Sequence, residues 1–182
     1  MSITVVPAPR LKQPEFSHLM DLYNENYRQL SLLFDDVLLS QDRMISRVRD
    51  ELPIYLEVLE RHRYTTVARL TYFLQDGVGR ITPDPDAHIR IYHDAQMAEA
   101  THCYPQSDRE PMKGVLAALS DVVDHRWKMN RLLDKWLDFL IHQGHGVETL
   151  RAATPAEWPV ASPAVDINLE RFEKQNLPED QD

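Results

Sequence analysis

Two segments with helical periodicity flank a long region that lacks it, and this arrangement constrains the fold more than any other feature. Residues 14–39 and 113–143 both repeat apolar side chains every three or four positions. Residues 44–104 instead alternate in character and are rich in β-branched and aromatic side chains. Helices before and after a run of strands favour an α+β architecture. We expect an antiparallel sheet of four or five strands packed against an N-terminal helix and a long C-terminal helix.

The strand region divides at its turn-forming residues. Predicted strands cover residues 44–48, 54–58, 64–74, 88–94 and 97–103. Residues 75–86 hold two glycines and two prolines and are predicted to be a loop. In the last hairpin we expect Ile89 to face His102. Ile91 then faces Ala100, and Glu99 stays off the apolar face, where its burial would be costly.

One domain is expected at a length of 182 residues. Residues 1–13 contain Pro7 and Pro9 and are predicted to be an arm, and residues 14–146 are predicted to be the folded domain. Residues 147–182 hold four prolines, eight acidic residues and three basic residues. This composition predicts an acidic tail that is largely mobile.

Composition and motifs exclude several classes of function. The formal charge of −9 argues against nucleic-acid binding, which relies on neutralising phosphates with basic side chains. The five glycines form neither a phosphate-binding loop nor a dinucleotide fingerprint. With one cysteine, Cys103, the chain cannot form an internal disulfide or a thiolate zinc site. No apolar run is long enough to span a membrane, and no secretory signal is evident. We expect a cytoplasmic monomer or homodimer without a cofactor or metal.

Arginine and hydroxyl side chains are concentrated in the middle of this acidic chain. Arginine suits bidentate binding of carboxylate or phosphate groups, and neighbouring hydroxyls add further donors. The sequence therefore predicts a binding or regulatory module that contacts a small anionic ligand or a partner protein through a hairpin surface. That surface comprises Arg63, Tyr64, Thr65, Arg90 and Tyr92. The alternative is a solvated sheet face with cross-strand ion pairs, for example between Arg90 and Glu99.

Three further sets of polar residues need an interpretation, which is either chemical or structural. His93 and Asp94 are adjacent, and as acid/base and orienting group they would suit a hydrolase of a phosphorylated small molecule. The structural interpretation is a hydrogen-bonded core histidine at His93 beside a turn-forming Asp94. His142 and His145 are explained by the helix C-terminus, which favours cations. Asn130 lies in the apolar stripe of the second helix and is predicted to contact sheet backbone. No complete catalytic motif is present, so we favour a non-enzymatic function.

Five stretches of the chain together resemble the YqiB-like family of bacterial proteins, a domain of unknown function. They are LEVLE at 56–60, RYTTV at 63–67, IRIYHDA at 89–95, AE at 98–99 and DHRWKMNRLL at 124–133. The resemblance covers residues 16–146 and implies a small cytoplasmic α+β protein, with no activity attached. It also draws attention to Arg63, Tyr64, Thr65, Tyr92, His93 and Asp94 as one patch, although a shared pattern of this kind equally suits a hairpin.

Overall fold

The computed structural model describes residues 16–34, 40–104 and 119–160. Its elements are α1 (Phe16–Phe34), β1 (Arg43–Ser46), β2 (Ile54–Arg61), β3 (Thr65–Gln75), β4 (Ile81–Tyr92), β5 (Met97–Tyr104), α2 (Leu119–His142) and β6 (Leu150–Ala152). The strands form one antiparallel sheet in the order β5-β4-β3-β2-β1-β6. The predicted α+β class is confirmed. The predicted arm at 1–13 and residues 161–182 of the predicted tail lie outside the described residues.

The sheet has six strands, so the predicted count of four or five is too low. The additional strand, β6, pairs with β1 through Met44 opposite Ala152 and Ser46 opposite Leu150. The folded region therefore continues past residue 146, where the sequence analysis ends the domain. A three-residue strand carries too little alternation to be read from sequence, and here the partner strand supplies the pattern.

Strand β4 also begins earlier than predicted, at Ile81 inside the predicted loop 75–86. Pro83 and Pro85 lie within it, although proline cannot donate to a sheet. The pairing explains this: β5 accompanies β4 only from Asp86 onward, so residues 81–85 have β3 on one side and no second neighbour among the described strands. A strand edge tolerates proline.

The register of the β4–β5 hairpin differs from the predicted one by two residues. Ile89 faces Ala100 and Ile91 faces Ala98, and the register shifts between His88 and Ile89. The turn over residues 93–96 is two residues longer than the predicted one, and this accounts for the difference at both isoleucines. The bulge between His88 and Ile89 shifts the pairing of residues 86–88 by one residue. Neither feature is evident from alternation alone. At both isoleucines the register differs from the predicted one by an even number of residues, so each of these side chains keeps its side of the sheet. The isoleucines and alanines therefore still share the predicted face.

Both helices contribute to one apolar core with a single face of the sheet. Leu30 and Phe34 of α1 join Leu133 and Leu137 of α2 in this core, and all four are buried. The sheet contributes alternate residues of β2, β3 and β4, as period-two patterning requires. Neither described helix combines the length and apolar character that crossing a membrane needs.

The β5 edge of the sheet is capped by asparagine side chains from the helices. Asn130 accepts a hydrogen bond from the Ala100 N–H at 2.7 Å and donates to the Ala100 carbonyl at 3.4 Å. Asn26 donates to Asn130 at 3.3 Å and to the Ala98 carbonyl at 3.5 Å. The predicted contact of Asn130 with sheet backbone is confirmed. These amides replace the partner strand that an edge otherwise lacks.

Candidate functional site

The five predicted binding residues meet at one end of the sheet; we call them the hairpin patch. The turn at residues 62–64 joins β2 to β3, and the turn at 93–96 joins β4 to β5. The His93 N–H donates to the Tyr64 carbonyl at 2.9 Å, which ties the two turns together. Thr65 lies directly opposite Tyr92. Arg63, Tyr64, Thr65, Arg90 and Tyr92 therefore lie close together on one turn and two neighbouring strands.

Arg63 and Tyr64 form the exposed tip of the hairpin patch. The Arg63 guanidinium lies over the Tyr64 ring, 4.9 Å from its centroid. Tyr64 keeps 49% of its surface exposed. A guanidinium stacked on an aromatic face keeps its N–H edge free for an anion. Among the described residues Arg63 has no ion-pair partner.

Glu99 joins the hairpin patch to α2. Its carboxylate is 8% exposed, accepts from the Tyr92 hydroxyl at 2.8 Å and accepts from Arg126 at 3.0 Å. Arg90, paired with Glu99 across the strands, lies 3.8 Å from the same carboxylate. The cross-strand ion pair between Arg90 and Glu99, expected in the alternative interpretation, is thus present, but it is longer than the contact of Glu99 with Arg126. Arg126 is a member that the sequence analysis missed, because no local pattern connects α2 to β5.

The titration of the tyrosines reflects this cluster. Burial raises the pKa of Tyr92, a hydrogen bond to Glu99 raises it further, and a hydrogen bond from Arg90 opposes both. The hydrogen bond to Tyr92 raises the pKa of Arg90. Burial also raises the pKa of Tyr23 on α1, which neighbours Glu99 and Arg126. Tyr92 therefore donates its hydroxyl to the Glu99 carboxylate, and the charge of Arg90 lies beside both groups.

His93 and Asp94, the alternative catalytic pair, have separate partners. The Nε2 atom of His93 lies 2.8 Å from the Thr66 hydroxyl, and the ring is half-buried. The Asp94 carboxylate is exposed and accepts from the Ala95 N–H at 3.0 Å, as a turn former does. No described hydrogen bond joins the two side chains. Asp94 bonds within its turn as the structural interpretation expects, whereas His93 is only half-buried and its partner is a strand hydroxyl, so it is not the core histidine of that interpretation.

A second polar cluster, centred on His145, lies at the opposite end of the strand order, where the short strand β6 covers β1; we call this end the β1 edge. Ser46 Oγ lies 2.9 Å from His145 Nδ1 and 2.6 Å from Thr149 Oγ1. His145 is 4% exposed, and burial lowers its pKa, while Glu51 and the Leu52 backbone oppose that effect. The histidine expected to be a cation at a helix end therefore favours the neutral form. Its fold-dependent contact with Ser46 leaves no signal in local sequence.

Neither a metal cluster nor a reactive thiol emerges from the described part of the chain. Within it, no three His, Cys, Asp or Glu side chains lie close enough together to hold a metal ion. Cys103 is buried, and burial raises the pKa of its thiol to about 12. A thiol with so high a pKa is a poor nucleophile at neutral pH.

A family match spans the hairpin patch, Glu99 and Arg126. The family described as Protein of unknown function (DUF1249) matches residues 29–146, more than half of the chain. The chain belongs to DUF1249. Comparisons with curated proteins and with solved structures gave no match. The DUF1249 assignment attaches no activity to the residues it covers, and the YqiB-like naming, the bacterial origin and the cytoplasmic location stay predictions.

Proposed function

We propose that this DUF1249 chain is a non-catalytic binding module whose hairpin patch takes a small anionic ligand bearing carboxylate or phosphate groups. The observation that carries the proposal is the loose hold on Arg90. Its guanidinium is 3.8 Å from Glu99, whereas Tyr92 and Arg126 contact that carboxylate at 2.8 and 3.0 Å. Arg90 is therefore able to turn to a ligand without leaving Glu99 unpaired.

The tip of the patch supplies a second cation in a fixed position. Arg63 is held by its own neighbour, Tyr64, so little side-chain entropy is lost when it binds a ligand. The Tyr64 hydroxyl and the Thr65 hydroxyl are further donors close by. Two guanidiniums with flanking hydroxyls suit an anion with two charged groups better than a single-charge ligand.

The hydrolase alternative lacks comparable support. General acid/base catalysis needs a histidine free to exchange a proton with the reacting group, or a base held by an orienting carboxylate. His93 is bonded to Thr66, and Asp94 is bonded within its own turn. We therefore retain binding, without a chemical step, as the function.

Isothermal titration with inorganic pyrophosphate tests the proposal. Arg63→Ala and Arg90→Ala are each expected to weaken pyrophosphate binding about tenfold or more, the loss typical of one charge-assisted contact. Arg80→Ala is the matched control: it removes the same charge from an exposed turn at the opposite end of the sheet. Equal losses in all three variants, or no pyrophosphate binding by the parent chain, would contradict the proposal.

A further inference from the structure

An open apolar groove runs beside α2 on the side away from the hairpin patch. Its volume is about 530 Å³. Four residues of α2 form one wall. The other wall is formed by the parts of β3 and β4 farthest from the hairpin patch, together with Leu52 in the segment before β2. The lining residues are Leu52, Tyr72, Leu74, Asp84, Pro85, Leu132, Lys135, Trp136 and Phe139.

Large apolar side chains of the groove are exposed to an unusual degree. Leu52 and Phe139 are each 52% exposed, and Leu132 is 38% exposed. Phe139 belongs to α2, yet its ring lies outside the apolar core. Contiguous exposed apolar surface of this kind marks interaction sites, and aromatic and leucine anchors dominate their energetics.

Basic side chains follow the groove along α2. Lys128, Arg131 and Lys135 are exposed and recur at three- and four-residue spacing, so they share one helix face with Leu132. Lys135 contacts Asp134 at 3.4 Å. Among the described residues neither Lys128 nor Arg131 has an ion-pair partner. This cationic row is notable on a chain whose formal charge is −9.

We propose that this groove docks an acidic amphipathic helix of a partner protein. Leu132 and Phe139 are separated by about 10 Å along α2, which matches two turns of a helix presenting apolar side chains at i, i+4 and i+7. Acidic residues on the flank of that helix pair with Lys128, Arg131 and Lys135. An enclosed small-molecule site would cover its apolar walls more fully than this groove does.

Fluorescence anisotropy with two matched synthetic peptides tests the proposal on the full chain. The first is a labelled fifteen-residue helix with Leu at i, i+4 and i+7 and Glu on the flanks; the second replaces every Glu with Lys. The acidic peptide is expected to bind and the basic peptide to bind at least tenfold more weakly. Pyrophosphate should not displace the acidic peptide, because it binds the hairpin patch and not the groove. Failure of the groove proposal can therefore be told apart from failure of the hairpin-patch proposal.

Substitutions locate the binding. Phe139→Ala is expected to weaken the acidic peptide about tenfold, while its exposure predicts an unchanged thermal midpoint. Lys135→Glu is expected to weaken the acidic peptide and strengthen the basic one. Leu59→Ala removes an exposed leucine of β2 outside the groove and serves as the control. Equal binding of the two peptides would overturn the proposal. So would a chain that binds neither peptide but binds dodecanoate, because the groove would then be a site for a small amphiphile.

Discussion

Polar groups are buried at both edges of the sheet, but the two edges use them differently. At the β5 edge, Glu99 is enclosed while the heads of its cationic partners reach solvent: the side chains of Arg90 and Arg126 are 47% and 52% exposed. At the β1 edge, Ser46 and His145 are both buried, and the contact between them faces inward. One cluster therefore exposes cations to solvent, whereas the other joins β1 to the segment after α2.

The difference separates a candidate site from a structural contact. Both clusters would attract attention in a sequence, since each contains titratable side chains. Only the β5-edge cluster combines a buried anchor with accessible charge, which is what recognition of an anion needs. The β1-edge cluster joins Ser46 to His145 and Thr149 at a strand that β6 has already covered.

The largest effect is expected at the β5 edge from Asn130→Ala. The substitution leaves the Ala100 N–H buried without its acceptor and removes the partner of Asn26, so the free energy of unfolding should fall by about 3 kcal/mol. Urea denaturation measures it. Asn24→Ala, on the exposed side of α1, is the control and should be neutral. A loss below about 1 kcal/mol would mean that the edge needs no asparagine cap.

The corresponding test at the other edge is Trp158→Ala. Trp158 packs edge-on against Tyr55 at 5.5 Å and Phe73 at 6.0 Å, with the Arg43 guanidinium 5.0 Å from its ring. Loss of these contacts should lower stability by about 2 kcal/mol. Val160→Ala is the control, because Val160 is 85% exposed. If Trp158→Ala melts like the parent chain, the packing of the segment after β6 on Tyr55 and Phe73 does not stabilise the sheet.

Glu99→Gln examines the anchor of the β5-edge cluster. The amide fills the same volume but gives up the charge that Arg126 and Tyr92 contact, so a loss of about 1–2 kcal/mol is expected. Glu60→Gln changes an exposed carboxylate of β2 and should cost little. A stability gain in Glu99→Gln would show that the desolvation cost of this carboxylate exceeds the stabilisation that its contacts with Tyr92 and Arg126 provide.

The β1-edge cluster should respond to pH instead. Burial lowers the pKa of His145 in the folded chain, whereas an unfolded histidine has a pKa of about 6.5. Protons therefore bind the unfolded chain first, and the stability contributed by neutral His145 is present above that pH and lost as the pH falls below it. Denaturation between pH 7.5 and pH 5 should show a weaker pH dependence in His145→Gln than in the parent. The exposed His62→Gln should keep the parent's dependence.

Much of the fold follows from periodicity, and the departures have local causes. Helical spacing identified α1 and α2, and alternation identified the strands that contribute alternate residues to the core. The early part of β4 was missed because Pro83 and Pro85 indicate a loop. Only the pairing shows that this part of β4 has a neighbour strand on one side alone, where proline is tolerated. The β6 strand was missed because it has only three residues, which are too few to show an alternation of apolar and polar side chains, and because prolines follow it closely.

The candidate site was predictable only as far as neighbours in sequence extend. Arg90 and Tyr92 share a strand, and Arg63 shares a turn with Tyr64, so alternation and turn signals brought them together. The alternative interpretation correctly paired Glu99 with Arg90. The second ion pair of Glu99, with Arg126, was not predictable because Arg126 is far away in the sequence. The apolar groove beside α2 depends likewise on where the helix crosses the sheet, which amphipathic patterning does not specify.

The most direct test of the contrast between the two edges is a nuclear magnetic resonance titration of the full chain with pyrophosphate. The arginine Nε–Hε signals report on individual guanidiniums. The account predicts that the signals of Arg63 and Arg90 move progressively with pyrophosphate, while those of Arg80 and Arg151 and the ring signals of His145 stay in place. Movement of Arg80 and Arg151 to the same extent, or an unmoved Arg90, would contradict it.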